Sequence, residues 1–443
     1  MRFLPCRDLR HGRAPMATSR RNFVFFLGIG GATIASLTAA GFLYRAADRG
    51  SFSDLQAGKP FLPWEEWKNR RLAGSEAVAL AGTLAASALN SQPWWLRLEG
   101  NIIDLYFRRT SYPVFLDPFD RDVMLGLGAC LENMVTAAQG LGYTTDVALF
   151  PSAANFDHVA RLTLGKAAPN ETPRFLAIAN RHTNRGAYDR NRQPPANVMA
   201  ALTGLSGSDA QKPGSARLAL FSSDSPRGED FADAILKATD VIFTDPAMVA
   251  EQFLWFRQTA DQIRAMPSGL SFLTTSLSDL QVRTAMALPD ISEKDYVKFW
   301  RNETANVQLP NTPLFGLIAV DDNGDPTQIL KAGRLLQRLH LEATAQGLGM
   351  QALSSINWVA DREEARGATR EFIDRAAALS KPLGTMVVGL RLGYARHPGR
   401  LSPRIALPGV VVPRIGPRPS PRPLDDNSPI PRLRRRAGPP PKQ

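Results

Sequence analysis

The sequence predicts an α+β protein in which helices are layered on hairpin-built sheets. Three observations carry that expectation. Arg97-Leu98-Glu99 and Ile102 to Phe107 flank Gly100-Asn101, a hairpin turn signal that joins antiparallel strands. Helix patterns and hairpins do not alternate regularly, as a doubly wound parallel sheet requires. Finally, Ala138-Gln139-Gly140-Leu141-Gly142 recurs as Ala345-Gln346-Gly347-Leu348-Gly349, each copy closing a buried helix with a glycine-rich end.

In chain order, Glu76 to Leu89 reads as a helix and is followed by the hairpin. Arg121 to Leu141 reads as a long, largely buried helix. Val159 to Leu164 and Arg217 to Phe221 read as short strands, and Ala232 to Phe243 and Pro246 to Met266 as helices. Leu314 to Val320 is an apolar strand ending in the turn Asp322-Asn323-Gly324-Asp325. Ile329 to Gln346 is a helix, and Gly384 to Tyr394 is a last apolar strand. Gly126 and Gly333 lie at the same offset before the two repeat copies. The repeated order of helix, glycine end and strand predicts two related halves, 55–170 and 171–410.

With 443 residues the chain can bury a core that needs no staples. Two cysteines exclude a disulfide scaffold, and a single long uncharged apolar run excludes a multi-span membrane protein. The formal net charge of +12 sits at the ends. Residues 1–22 hold six arginines against Asp8, a net of +5. Residues 401–443 hold eight arginines and Lys442 against Asp425 and Asp426, a net of +7. The body between is neutral, so no nucleic-acid partner is expected. Twelve of the 34 prolines lie in 401–443, and 411–443 reads as a disordered Pro/Arg-rich tail.

Residues 1–54 read as an address. Ser19-Arg20-Arg21-Asn22-Phe23 precedes an uncharged run from Phe23 to Tyr44. Paired arginines directly before such a run resemble a twin-arginine export signal, with the export machinery as partner and the periplasm as destination. An ordinary anchor with a basic flank is the other reading. At about 1.5 Å per residue the run is long enough to cross a hydrocarbon core of about 30 Å. Cleavage, with Ala39-Ala40-Gly41 as the candidate site, and retention as a tether to the inner membrane by 23–44 both stay open. So does the start, Met1 or Met16; from Met16, Cys130 is the only thiol.

Three motifs carry chemistry. Ala86-Ser87-Ala88-Leu89-Asn90-Ser91-Gln92-Pro93-Trp94 ends a helix, and Pro93 forces an extended exit. Ser87, Asn90 and Gln92 set small polar groups beside an aromatic plane, suited to the edge of a flat heteroaromatic ligand or to a capped helix end. Arg181-His182-Thr183-Asn184-Arg185 can clamp a phosphate, because arginine offers planar forked donors, or form a solvated basic turn. Arg400-Leu401-Ser402-Pro403-Arg404 either adds charge to the same phosphate or opens the basic tail. The five histidines have no metal-ligand spacing, so no metal site is expected; residue counts leave a Ser-His-Asp enzyme open, but no Gly-x-Ser-x-Gly elbow appears.

Together these motifs resemble the FMN-dependent nitroreductase superfamily. Ser87, Asn90, Ser91, Gln92, Pro93 and Trp94 match its flavin-edge segment. Arg181, His182, Thr183 and Arg185 match its phosphate and pyrimidine clamp. Arg404, with Arg400, fits its C-terminal phosphate arginine, and Gly349 lies in the helix-end region that faces the flavin. Ordinary members carry the clamp first, in one short chain that dimerises around the cofactor. The reversed order here resembles the fused, Acg-type branch, an intrachain pseudo-dimer with a nitroreductase-like fold and one FMN per chain. Ala86 and Ala88 depart from the family's Pro and second Ser. The resemblance is poor over 195–310, which it implies to be a lid-like insertion.

The resemblance implies an exported FMN-binding oxidoreductase that passes two electrons from a reduced donor to a small nitroaromatic or quinone-like acceptor. The flavin supplies the chemistry, so no catalytic side chain is assigned. Arg185 is expected near the pyrimidine edge, where it favours negative charge. Outside the cytoplasm NAD(P)H is scarce, and a quinol, a membrane carrier or a partner protein could substitute for it as donor. The alternative is an FMN-sequestering protein with little turnover, its lid carrying Arg257, Gln258, Gln262 and Arg264. A membrane scaffold rests on the anchor and tail alone.

Overall fold

The computed structural model describes Tyr44, Asp48 and residues 54–110, 112–207, 212–367 and 369–413. The expected export signal and most of the expected tail lie outside these residues. Among the described residues no helix is long and apolar enough to cross a membrane.

Each half builds a four-stranded antiparallel sheet. The first half runs α1 (Leu62–Lys68), α2 (Gly74–Thr83), β1 (Trp94–Glu99), β2 (Ile102–Phe107), α3 (Arg121–Gly140), β3 (Tyr143–Leu149) and β4 (His158–Lys166). Its sheet has the order β1-β2-β4-β3. The second half contributes β5 (Arg217–Ser222), then α4 (Pro226–Thr244), α5 (Pro246–Leu254), α6 (Ala260–Ala265), α7 (Asp279–Ala287) and α8 (Glu293–Asn302). It closes with β6 (Leu314–Val320), α9 (Pro326–Ala345), β7 (Gly349–Leu353), α10 (Ser355–Arg366), α11 (Glu371–Ser380) and β8 (Thr385–Gly393). That sheet has the order β5-β6-β8-β7. Both orders are first, second, fourth, third. In both, a helix of 20 residues bridges the second and third strands. The duplication read from one short sequence match is thus a duplication of topology.

The apolar strand Leu314–Val320 is buried along its whole length, because each face meets a different core. Leu314, Ile318 and Val320 join the core around α3 and α9. Phe315, Leu317 and Ala319 join a second core built by α4 and α8. The helices α3 and α9, one from each half, cross at closest approach through two glycines. A Cβ on Gly128 would lie 2.2 Å from the Leu330 carbonyl oxygen, and one on Gly333 would lie 2.2 Å from that of Leu125. Polar pairs flank the crossing: Arg334 and Arg338 both donate to Glu132 at 2.8 Å, and Gln337 donates to Asn133 at 2.7 Å.

Four expectations need correction. The helix expected over Glu76 to Leu89 stops at Thr83, because Ser87 is extended and Leu89, Asn90 and Gln92 take left-handed φ of 48°, 53° and 52°. The helix expected over Pro246 to Met266 breaks at Phe256–Arg257, which pairs with Leu270–Ser271, and the Thr259 hydroxyl caps a fresh start at Ala260. Residues 195–310 are not one lid, since β5 lies among them and belongs to the second sheet. The excursion between β5 and β6 covers 223–313. Finally, Val411 is not tail: it bridges to Leu96, and the Val412 N–H donates to the Leu96 carbonyl at 2.8 Å. The chain after β8 therefore straps back onto the edge of β1.

Candidate functional site

The site begins where α2 fails to continue. Beyond Thr83 the carbonyls of Leu84 and Ala85 are taken by side chains from the other half. Arg181 Nη2 donates to the Leu84 oxygen at 2.9 Å, and Arg404 Nη2 donates to the Leu84 and Ala85 oxygens at 3.3 and 3.1 Å. Arg404 Nη1 also donates to Asn90 Oδ1 at 2.6 Å. Arg181 and Asn90, far apart in sequence, thus meet through Arg404. Three left-handed non-glycine residues within four positions mark this turn as strained, and bulky Leu89 is the most unusual of them.

Arg181 and Arg404 are both only 1% exposed. Neither has a carboxylate partner among the described residues. Burial pushes Arg181 down to about 10, and burial together with the Arg181 charge pushes Arg404 well below the usual guanidinium range. The Trp64 ring lies 5.9 Å from the Arg181 guanidinium carbon and 4.9 Å from that of Arg404, within cation–π range. Both Nε donors, together with His182 Nδ1, are buried without a partner among the described residues.

His182 meets Trp64 edge-on at 5.3 Å, and burial plus the two arginine charges lower it to about 3. His340 completes the cluster. Arginine only donates, so His340 Nδ1 accepts from Arg181 Nη1 at 3.4 Å, and its Nε2–H then donates to the His182 carbonyl at 3.2 Å. Burial holds His340 neutral as well.

A cavity of about 200 Å³, open to solvent on one side, lies against the same turn. Ser87, Thr183 and Arg185 line it, with Gly126 of α3, Leu336 of α9 and Ser354 after β7. Thr183 is extended and bridges to Met350 of β7. Thr183 and Arg185, two positions apart on this segment, both reach the cavity, while Arg181 at its start stays in the buried cluster. Arg185 Nη1 donates to the Thr274 carbonyl at 3.1 Å, and burial beside Arg391 lowers it to about 10.

The expected site residues therefore divide. Ser87, Thr183 and Arg185 face the cavity, while Arg181, His182 and Arg404 form the cationic cluster. Asn90 and Gln92 are not among the cavity's lining residues. Asn90 Nδ2 donates to the Gly269 and Pro403 carbonyls, at 3.3 and 3.1 Å. Gln92 Nε2 donates to the Pro267 carbonyl at 2.7 Å, and its Oε1 accepts from the Ile405 N–H at 2.9 Å. These two side chains tie the turn to the excursion and to the C-terminal strap. Gly349 is not a lining residue either. A Cβ there would press Tyr188 at 3.1 Å, while Gln351 and Ala352 of the same strand reach the cavity. Arg400 does not join the cluster: its Nε and Nη2 bind Asp279 at 2.9 and 2.6 Å, at the surface. Trp64 and His340 were missed, since neither lies in a recognisable motif.

No family model matches the chain. A Mycobacterium tuberculosis protein named for NAD(P)H nitroreductase activity, Rv3131, is 30% identical over 125 residues, 27% of this chain and 36% of that protein. The chain thus matches about a third of that relative's length. The M. tuberculosis protein acg, also named for NAD(P)H nitroreductase activity, is 23% identical over 79% of this chain and 93% of its own. Among solved structures, a nitroreductase with bound FMN from Desulfitobacterium hafniense aligns with a TM-score of 0.31 at 13% identity, covering 52% of this chain and 94% of its own. NfnB of Mycobacterium smegmatis, solved with NADPH, aligns with a TM-score of 0.31 at 17% identity, covering 54% of this chain and 92% of its own. By sequence, this α+β chain with a doubled topology is similar, over part or most of its length, to proteins named for NAD(P)H nitroreductase activity.

Proposed function

We propose that the chain is an FMN-dependent oxidoreductase of nitroreductase type, passing two electrons from a reduced nicotinamide or membrane donor to a small acceptor. One observation carries the reading. Arg181 and Arg404 are buried side by side with no carboxylate partner among the described residues, and their Nε donors are orphaned. An unpaired buried charge costs several kcal/mol, so two of them call for an anion in the working state. The donor set suits a phosphate, and the same segment places Thr183 and Arg185 on the wall of the adjoining cavity, where a flat ring would lie.

Bound FMN would supply the hydride and electron chemistry. The chain's residues would do the rest. Arg181 and Arg404 hold the phosphate, with Trp64 covering both guanidiniums. Neutral His182 adds its Nδ1. Thr183 and Ser87 offer hydroxyls at the cavity wall. Arg185 keeps a cation there, where its field favours electrons arriving in the cavity. Both halves are needed, since Ser87 comes from one and the arginines from the other.

Export by the twin-arginine route belongs to the same proposal, supported by Ser19 to Phe23 and the uncharged run behind it. Replacing Arg20 and Arg21 by lysine should retain a fused reporter in the cytoplasm. The decisive test of function is the absorbance spectrum of purified protein, with mass identification of the released chromophore and addition of NADPH. FMN that bleaches with NADPH is expected. A flavin inert to NADPH would support sequestration, and protein colourless after flavin loading would support a scaffold.

A further inference from the structure

The cavity has a second wall, supplied by the 223–313 excursion. α8 and the π-turn Glu303–Gln308 that continues it carry Tyr296, Trp300, Thr304 and Gln308, each four residues after the last, and all four line the cavity. On a straight α-helix every step of four overshoots a full turn by about 40°. Three such steps would swing Gln308 about 120° away from Tyr296. A π-turn is wider than an α-turn and offsets that drift, which keeps the lower two residues on the face of the upper two.

The hydrogen bonds behind this ladder have a direction. Arg391, fully buried, can only donate, and its Nε gives a 2.7 Å bond to Gln351 Oε1. That fixes the Gln351 amide, so its Nε2 donates to Gln308 Oε1 at 3.2 Å. With its oxygen taken, Gln308, a lining residue of the cavity, has only its Nε2 donor left over. Its Nε2 has no partner among the described residues, although only 3% of the residue is exposed. Trp300 Nε1 is likewise unpartnered, at 9% exposure. The Tyr296 hydroxyl is already committed, donating to Gln252 Oε1 at 3.4 Å. The ladder therefore offers two free donors, while Ile235, Ile242 and Phe243 of α4 supply apolar wall.

Resting on the flavin reading, we propose that Trp300 and Gln308 form the electron-acceptor subsite, binding an uncharged flat molecule through its oxygen atoms. Quinone carbonyls and nitro groups share that chemistry, and neither needs the acceptors that an amine would require. Gln351 and Arg391 are positioning residues, since they act only by holding the Gln308 amide donor-outward.

The test uses FMN-loaded full chain with menadione and nitrobenzene, measuring both KM with NADPH and equilibrium binding by calorimetry. Loss of one hydrogen bond in Gln308→Leu or Trp300→Phe should weaken acceptor binding about three- to tenfold, with FMN content held. Gln351→Leu, which lets the Gln308 amide turn, should weaken it by a smaller factor. A response to one probe alone supports the subsite and names the acceptor class. Unchanged binding of both probes in Gln308→Leu and Trp300→Phe overturns the inference. Calorimetry keeps this decision separate from turnover: wild-type protein that lacks FMN or resists NADPH contradicts the flavin reading instead.

Discussion

Arg121 and the pair Arg181 and Arg404 are each at most 2% exposed, and all of them reach from one half of the chain to the other. Their surroundings differ. Arg121, at the start of α3, lies against Asp122 and donates at 2.9 Å to Asp361 of α10 and at 2.7 Å to the Val387 carbonyl of β8. Asp117 caps the same helix end by accepting from the Asp122 and Val123 N–H groups at 3.0 and 2.9 Å. The nearby carboxylates push the Arg121 guanidinium above its ordinary range. The same type of side chain in the other cluster is pushed down, because it meets carbonyls, an amide and an indole face in place of acids. A paired buried arginine holds the halves together. Arg181 and Arg404, unpaired and side by side with both Nε donors unused, are kept at a cost to the fold and fit the proposed anion.

Exchange of the two roles is the hardest test of this contrast. Arg121→Met strands buried Asp122 and Asp361, and should lower stability by about 3–5 kcal/mol in chemical denaturation while leaving FMN affinity near wild type. Arg404→Leu should do the reverse. FMN affinity should fall on the order of a hundredfold in equilibrium titration, and the flavin-free protein should lose less stability than Arg121→Met, because the acceptors on Leu84, Ala85 and Asn90 lose a donor but a buried charge leaves with it. Equal loss of stability in both variants would remove the distinction.

The helix crossing sharpens the structural side. Gly333→Ala places a methyl group against the Leu125 carbonyl and should cost about 1–3 kcal/mol, read as a lower denaturation midpoint. The pH response sharpens the ligand side. His182 and His340 are held below the ordinary 6.5, so the unfolded chain binds more protons than the folded one once pH drops beneath that value. Flavin-free protein should therefore lose on the order of 1–2 kcal/mol of stability through His182 between pH 6.5 and 5, with His340 adding loss in the same direction. Bound FMN should soften the slope, because its phosphate offsets the arginine field that helps keep His182 neutral. A slope unchanged by FMN would place the phosphate elsewhere. The smallest effect is expected from Arg400→Ala. Its partner Asp279 is largely exposed, so both FMN affinity and stability should stay within about 0.5 kcal/mol of wild type.

What was legible in the sequence follows from where the information is local. The Gly100-Asn101 hairpin, the two long helices and the strand Leu314 to Val320 carry their own periodicity and turn chemistry, and all four form where expected. The strands β3 and β7 were not read, because Tyr143–Leu149 and Gly349–Leu353 are fixed mainly by pairing with distant strands. The end of α2 was misplaced for a similar reason. Ala86 to Leu89 has helical composition, but carbonyls from Leu84 onward are claimed by arginines nearly a hundred and over three hundred residues away. In the site, the clamp and Arg404 were expected together from their motifs, and the fold brings Arg181 and Arg404 side by side on the Leu84 carbonyl. Asn90 and Gln92 were expected at the ligand from residue type and motif, and in the fold their side chains also bond Gly269, Pro403, Pro267 and Ile405, contacts no local pattern announces. Trp64, His340 and the ladder from Tyr296 to Gln308 left no local signal, since their role depends on which elements meet.

The central claim is that the buried arginines answer to a phosphate. It is tested most directly by titrating flavin-free protein with FMN and with riboflavin, which differ only in that group, in wild type and in Arg404→Leu. The account predicts that wild type binds FMN at least a hundredfold more tightly than riboflavin, and that the variant loses most of this preference. Equal affinity for the two flavins in the wild-type protein would contradict it.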